Sequence, residues 1–353
     1  MNDVDRIVAS IIGSDVPLER VAVTRAAATV KPDEAPIAPH RVVHDAVDEL
    51  VGLGPLERLL RDPTVSDVLV NGPAEIWVER SGALELTDVV FSGADAIVGA
   101  VRRVIAPLGL RLDRAVPAVD ARLPDGSRLH AIIPPAAVDG PIVAVRRFLH
   151  TVVDMEGFVA IGGIDPDGAE LLEAAVRSRE NILVAGSTGA GKTTLLNVLC
   201  AAITTGDRIV TIEDAAELDI AGHVVRLEAH PPNVEGKGEV TIRSLLAHAL
   251  RLRPDRLIVG EVRGPEALDM VQALNTGHAG SMSTVHANGS AEALARLESL
   301  ASMVTSNLSV STLHAQIRSA FDLVVFVERA DTGRRVGSVH RVEPTTLTEI
   351  YPC

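Results

Sequence analysis

Aromatic side chains are almost missing from this chain: one Trp, one Tyr and five Phe among 353 residues, 2% in all. Cores must therefore be built from Val, Leu, Ile and Ala, and the bases of a single-stranded nucleic acid would find few rings to stack on. Positive charge is short as well. With 33 Lys and Arg against 47 Asp and Glu, the net charge is −14, a poor basis for neutralising the phosphates of DNA or RNA. Cysteine is limited to Cys200 and Cys353; they lack metal-ligand spacing, and both fit a reducing compartment. No apolar run approaches the roughly 18 residues needed to span a bilayer. The opening Met1-Asn2-Asp3-Val4-Asp5-Arg6 lacks the basic-then-apolar order of a secretion signal. A cytoplasmic chain is expected, at most peripheral to a membrane and without a nucleic-acid partner.

Hydrophobic residues make up 47% of the chain, ample for two domains and a small appendage. Residues 1–41 are charged and irregular and break at Pro32 and Pro36, which reads as a variable helical or mobile appendage. A helical stretch follows over 42–62. Strand runs at 68–70, 75–80 and 83–87, a helix over 94–108, a second hairpin at 120–133 and a strand at 142–148 make residues 42–150 a mixed α/β domain. Residues 151–165 carry three glycines and no strong periodicity, and read as a hinge linker. From 166 to 353 helices alternate with apolar strands, so a largely parallel sheet covered on both faces is expected.

The sharpest motif is Gly186-Ser187-Thr188-Gly189-Ala190-Gly191-Lys192-Thr193. An apolar strand, residues 181–185, leads in, and a helix leads out through Thr194-Leu195-Leu196. Glycines in this setting fold the backbone into a nest of N–H groups at the positive end of the helix. Residues 186–194 therefore form a cradle for the phosphates of a nucleoside triphosphate, with Lys192 reaching the β/γ oxygens and the Thr193 hydroxyl placed for Mg²⁺.

Two further apolar strands end in carboxylates: residues 208–212 before Glu213, Asp214 and Glu217, and residues 256–260 before Glu261 and Arg263. Ligands of open α/β sheets lie at the carboxyl ends of the strands, so these acids should converge on the phosphates. One would orient or deprotonate an attacking water and others, Asp214 included, would hold Mg²⁺ through water. A third constellation runs from Gly277-His278 to His286-Ala287-Asn288 after a helix that starts at Pro265; its two histidines have no standard metal spacing. Arginines that meet developing phosphate charge are often delivered from another domain or subunit, and Arg122, Arg128 and Arg147, the last just before the hinge, are the candidates.

Taken in order, these motifs resemble the type II/type IV secretion ATPases, most closely the branch that powers tight-adherence (Flp) pilus assembly. Residues 211–218 are similar to that family's aspartate box, 253–264 to its atypical Walker B, and 275–288 to its histidine box. Val70-Asn71-Gly72-Pro73, residues 120–128 and Ile133-Pro134-Pro135 are similar to its N-terminal domain. The resemblance spans about residues 42–330. It implies a RecA-like P-loop motor domain preceded by a smaller α/β domain, nucleotide lying between the two, and a homo-hexameric ring that hydrolyses ATP with Mg²⁺. It also implies inner-membrane platform proteins of a pilus or secretion machine as partners, at the cytoplasmic face of the plasma membrane. In site terms it implies that Glu261 acts in hydrolysis, that Glu213 supports metal and water, that His278 and His286 couple nucleotide state to neighbouring contacts, and that N-domain arginines reach the phosphates. Where an ordinary Walker B carries an aspartate, this chain has Gly260.

A nucleic-acid translocase or helicase on the same motor fold is the competing reading, since fold alone does not set function. The charge balance argues against it. In gel-shift titrations at physiological salt the chain should show no DNA affinity tighter than about 10⁻⁶ M, the upper end of ordinary non-specific binding; tighter, salt-sensitive binding would restore the translocase.

Overall fold

The computed structural model describes residues 3–30, 39–80, 82–147, 152–204, 206–230, 232, 237–304, 308–330 and 333–352. The chain divides into two compact units, Met1–Leu149 and His150–Cys353.

In the first unit, α1 (Asp3–Ile12), α2 (Arg20–Thr29) and α3 (Pro39–Val51) pack Ile7, Ile11, Val23, Ala27, Ala46, Val47 and Leu50 into a small core of their own. The appendage, expected to be helical or mobile, holds two ordered helices; its prolines at 32 and 36 lie outside the described residues. The single helix expected over 42–62 is broken. Gly54 takes φ +62°, a 3₁₀ turn covers Gly54–Leu56, and α4 (Glu57–Leu60) restarts with Glu57 Oε1 accepting from Leu53 N at 3.0 Å. Next come β1 (Val65–Asn71), β2 (Ile76–Arg80), β3 (Ala83–Leu86), α5 (Ala94–Ile105), β4 (Ala118–Arg122), β5 (Arg128–Ile132) and β6 (Ile142–Arg146). They form a six-stranded antiparallel sheet in the order β3-β2-β1-β6-β5-β4. Side chains alternate along each strand. Val68, Val70, Ile76, Val78, Ala121, Leu129, Val143 and Val145 face a core shared with Ile97, Val101 and Ile105 of α5, and the polar set faces away.

The second unit contains α6 (Met155–Ala160), α7 (Pro166–Arg177), β7 (Ile182–Gly186), α8 (Lys192–Ala201), β8 (Ile209–Glu213), β9 (Val224–Glu228), α9 (Ile242–Ala249), β10 (Arg256–Val262), α10 (Glu266–Leu274), β11 (Met282–His286), α11 (Ser290–Ser302), α12 (Val310–Ala320), β12 (Leu323–Ala330), β13 (Gly333–Val342) and β14 (Leu347–Pro352). Its sheet runs β14-β13-β12-β7-β11-β10-β8-β9, parallel from β12 to β9 and antiparallel at β13 and β14. Every residue of β7 and of β8 is buried, as parallel strands covered on both faces require. Leu183 and Ala185 join α9–α12 on one side; Ile182 and Val184 join α6–α8 on the other.

The expected hinge contains α6. Asp154 caps it by accepting from Gly157 N at 2.8 Å, and Met155 and Phe158 are buried in the core beside α8. A Cβ at Gly163 would fall 2.5 Å from the Phe158 ring, so glycine there makes room for the aromatic rather than freedom for a linker. Among the described residues no helix is long and apolar enough to cross a membrane. If α6 is core and not linker, Phe158→Ala should destabilise the second unit by about 3–5 kcal/mol, the usual loss for a buried Phe; urea denaturation reads it, and a loss below roughly 1 kcal/mol would return the segment to a loose connector.

Candidate active site

Parallel pairing sets β7, β11, β10 and β8 side by side with their carboxyl ends at one edge, and the register between β10 and β11 shifts between Val259 and Val262, around Gly260 and Glu261. His286 is level with Gly186, and Ile212 with Val259. The phosphate loop grows from the end of β7. Gly189 and Gly191 have φ +74° and +101°, a region L side chains avoid, and the loop closes into α8 with Lys192 as its first residue.

Lys192 is buried, 7% exposed. Its Nζ donates to Gly186 O and Ser187 O, both at 3.1 Å, and lies 3.1 Å from His286 Nδ1. Three neighbours match the three protons of an ammonium. Burial holds its pKa below the ordinary lysine value. His286 is also lowered, by burial first and then by Lys192. A neutral imidazole whose Nδ1 receives from Lys192 carries its proton on Nε2. That atom lies 2.6 Å from Glu261 Oε1, off the line of a good hydrogen bond, since Oε1 has no aligned donor. Glu261 Oε2 takes Arg263, at 2.8 Å from Nε and 2.5 Å from Nη2. Lys192 at the start of α8, His286 at the end of β11 and Glu261 near the end of β10 thus stand in close succession.

Glu213 closes the site from β8. It is 2% exposed; Oε1 accepts from Glu217 N and Leu218 N at 2.8 and 2.9 Å, while Oε2 is buried with no partner. Desolvation raises its pKa to about 7, against those two N–H groups, which lower it. A Cβ at Gly260 would meet Glu213 Cγ at 2.9 Å. Glycine at the position before Glu261 therefore follows from packing: the Glu213 side chain fills the space an aspartate would need.

The sequence candidates do not all converge. Asp214 is half exposed and 3.8 Å from Arg263 Nη1. His278 stands at the other edge of the sheet. It precedes the amino end of β11, where Nδ1 meets Ala273 O at 2.9 Å at the end of α10, so it serves the helix terminus and not the phosphate edge. Arg147 Nη1 donates to Asp62 O and Val65 O at 2.5 and 3.0 Å, which fastens β1. One residue earlier the parity of the strand differs: Arg146 pairs Arg128, which pairs Arg122, so the three share the outer face of the first sheet. Strand phase, read together with register, is what separates Arg146 from Arg147.

For a divalent ion the donors present fit. The unpartnered Glu213 Oε2 and the Thr193 hydroxyl are hard oxygens, the class magnesium takes together with nucleotide phosphates. Among the described residues no three His, Cys, Asp or Glu side chains gather into a metal site.

A parallel sheet of this order, with a phosphate loop at its edge and paired glutamates beside it, defines a RecA-like P-loop ATPase. A family model described as type II/IV secretion system protein matches residues 49–346, and the chain belongs to that family. It is 42% identical over 294 residues to a putative conjugal transfer protein of Mycobacterium tuberculosis, covering 81% of this chain and 83% of that one. It is 36% identical over 299 residues to the type IV secretion system protein PtlH of Bordetella pertussis, covering 75% and 86%. Among solved structures, the Legionella pneumophila ATPase DotB aligns with a TM-score of 0.58 over 82% of this chain and 80% of that one, a likeness of fold at 19% identity.

The raised pKa of Glu213 has a signed effect on stability. In the unfolded chain it ionises near 4.5, in the fold near 7. Its contribution is fully present below 4.5 and is lost as pH rises to about 7, where the buried carboxyl must ionise. Thermal midpoints measured from pH 4 to 8 should fall less for Glu213→Gln than for wild type across that window; parallel curves would show that Glu213 titrates normally.

Proposed function

We propose that this chain is a Mg²⁺-dependent, homo-hexameric ATPase of a membrane-associated pilus or secretion machine, working at the cytoplasmic face with inner-membrane platform proteins. Within the family, the motifs at 70–73, 120–128 and 133–135 support the tight-adherence pilus branch. The relatives described above carry names from conjugal transfer and type IV secretion.

The observation that carries the reading is the Lys192–His286–Glu261 chain. Because all three ammonium protons face protein acceptors, Lys192 takes a phosphate oxygen only by giving one of them up. Exchange of His286 is the change that communicates. Without Lys192 at Nδ1 the imidazole loses a cationic neighbour that depresses its basicity, and its position against Glu261 relaxes. Occupancy by phosphate is thereby reported to the carboxylate that prepares water. Glu261 then accepts the proton of the water whose oxygen attacks the γ-phosphorus, as the bond to the β–γ bridging oxygen breaks and ADP leaves. Bound Mg²⁺ would neutralise charge on the phosphates, and Glu213 Oε2 and Thr193 are the groups to hold it.

Lys192→Ala should lose tight ATP binding. Glu261→Gln should still bind ATP but hydrolyse it at least about 100-fold more slowly, the usual scale of a lost general base. Near wild-type hydrolysis by Glu261→Gln, with loss in Glu213→Gln, would transfer the base to Glu213. If a ring completes the site, Mg²⁺-dependent hydrolysis per subunit rises with protein concentration; a rate independent of concentration, from particles that size as monomers, would remove the ring.

A further inference from the structure

The Lys192–His286–Glu261 chain approaches the phosphate loop from the β11 and β10 side. On the other side of β7 stands β12, level with it at Val327 and Gly186. Beyond that level β12 and β13 continue as a two-stranded ribbon, pairing Val327 with Val336, Glu328 with Arg335, and Arg329 with Arg334. Val327 and Val336 are buried in the core that contains Ala190 and Leu195. By the two-residue period of a strand, Arg329 and Arg334 lie on that same face, one step further out, over the loop.

Contact with the loop is direct. A Cβ at Gly191 would lie 3.3 Å from Arg334 Cδ and 3.5 Å from Arg334 Cβ, so the arginine stem rests on the last glycine before Lys192. The ribbon's other pair shows the ordinary solution: Glu328 faces Arg335, with Nε and Nη2 at 2.9 and 2.8 Å from Oε1. Arg329 and Arg334 instead oppose like charges, a destabilising arrangement. Both are exposed, and among the described residues neither guanidinium has an acid or carbonyl partner. Two unneutralised guanidinium groups beside a nest of N–H groups make a receptor for an anion.

We propose that Arg334, with Arg329 across from it, binds the α- and β-phosphates of the nucleotide from the flank opposite Lys192. The assignment to those two phosphates follows from Gly191, because the backbone of such a loop cradles the α/β pair whereas the lysine reaches toward β/γ. The proposal rests on the reading of this loop as a nucleotide site. It adds a holding contact on the same chain, indifferent to whether the γ-phosphate is present.

Calorimetric titration of the full-length chain with ATP and, separately, ADP tests it. Arg334→Ala should weaken both nucleotides by the same factor, about tenfold for one charge-assisted contact. Arg334→Lys should recover part of the loss, and Arg329→Ala, which leaves the stem on Gly191 intact, should weaken both in the same direction. Wild-type affinity in both alanine variants, with Lys192→Ala still defective, would overturn this proposal and leave the nucleotide site standing. Loss confined to ATP would also overturn it, because the arginine would then address the γ-phosphate. If wild type and Lys192→Ala bind alike, the nucleotide reading itself falls and takes the proposal with it.

Discussion

Parallel, in-register pairing around β7 is the constraint on which the second unit depends. With β7 and β8 fully buried, neither strand is free to slip: a shift of one residue would exchange the two cores, sending Leu183 and Ala185 where Ile182 and Val184 belong. Parallel pairing brings Gly186, Glu213, Glu261 and His286 to one edge although they are spread over a hundred positions of the chain, with Glu261 placed where β10 shifts register against β11. The geometry of the candidate site follows from burial. No side chain in the site has to be steered individually across the molecule.

Against that frame of apolar strands, the site concentrates polar atoms that are expensive to bury. Lys192 and Glu213 are both nearly inaccessible, and one oxygen of Glu213 has no partner. An unsatisfied buried carboxyl oxygen disfavours the fold, and such a group persists when a ligand later repays it. Gly260 belongs to the same arrangement. Removing a side chain from β10 lets one from β8 occupy the space, so two strands jointly furnish what a single strand's consecutive acids furnish elsewhere.

Features set by a few neighbouring residues were legible in the chain itself. The phosphate loop is one, because its conformation depends on local glycines; the fully buried strands are another, because a continuous apolar run needs no partner to be recognised. Features set by phase or by distant packing were not. Arg146 and Arg147 are adjacent and chemically equal, yet alternation in β6 turns one outward and the continuation of the chain ties the other to Asp62 O and Val65 O. His278 and His286 look like one box, but a strand's length separates them. The helices α1 and α2 bury short apolar sets only because α3 meets both. In the loop-rich stretch at 151–165, glycines that read as flexibility include Gly163, which yields space to Phe158.

The family match begins at residue 49, inside α3, which spans Pro39–Val51. Asp48 of that helix takes Arg20 of α2 at 3.3 Å and also pairs with Arg61, just after α4. The edge of the family match therefore does not coincide with a boundary between folded pieces. Leu50, past that boundary, still packs in the three-helix core. Fragments cut at residue 49 would sever that helix. Those that begin ahead of residue 39 keep it whole.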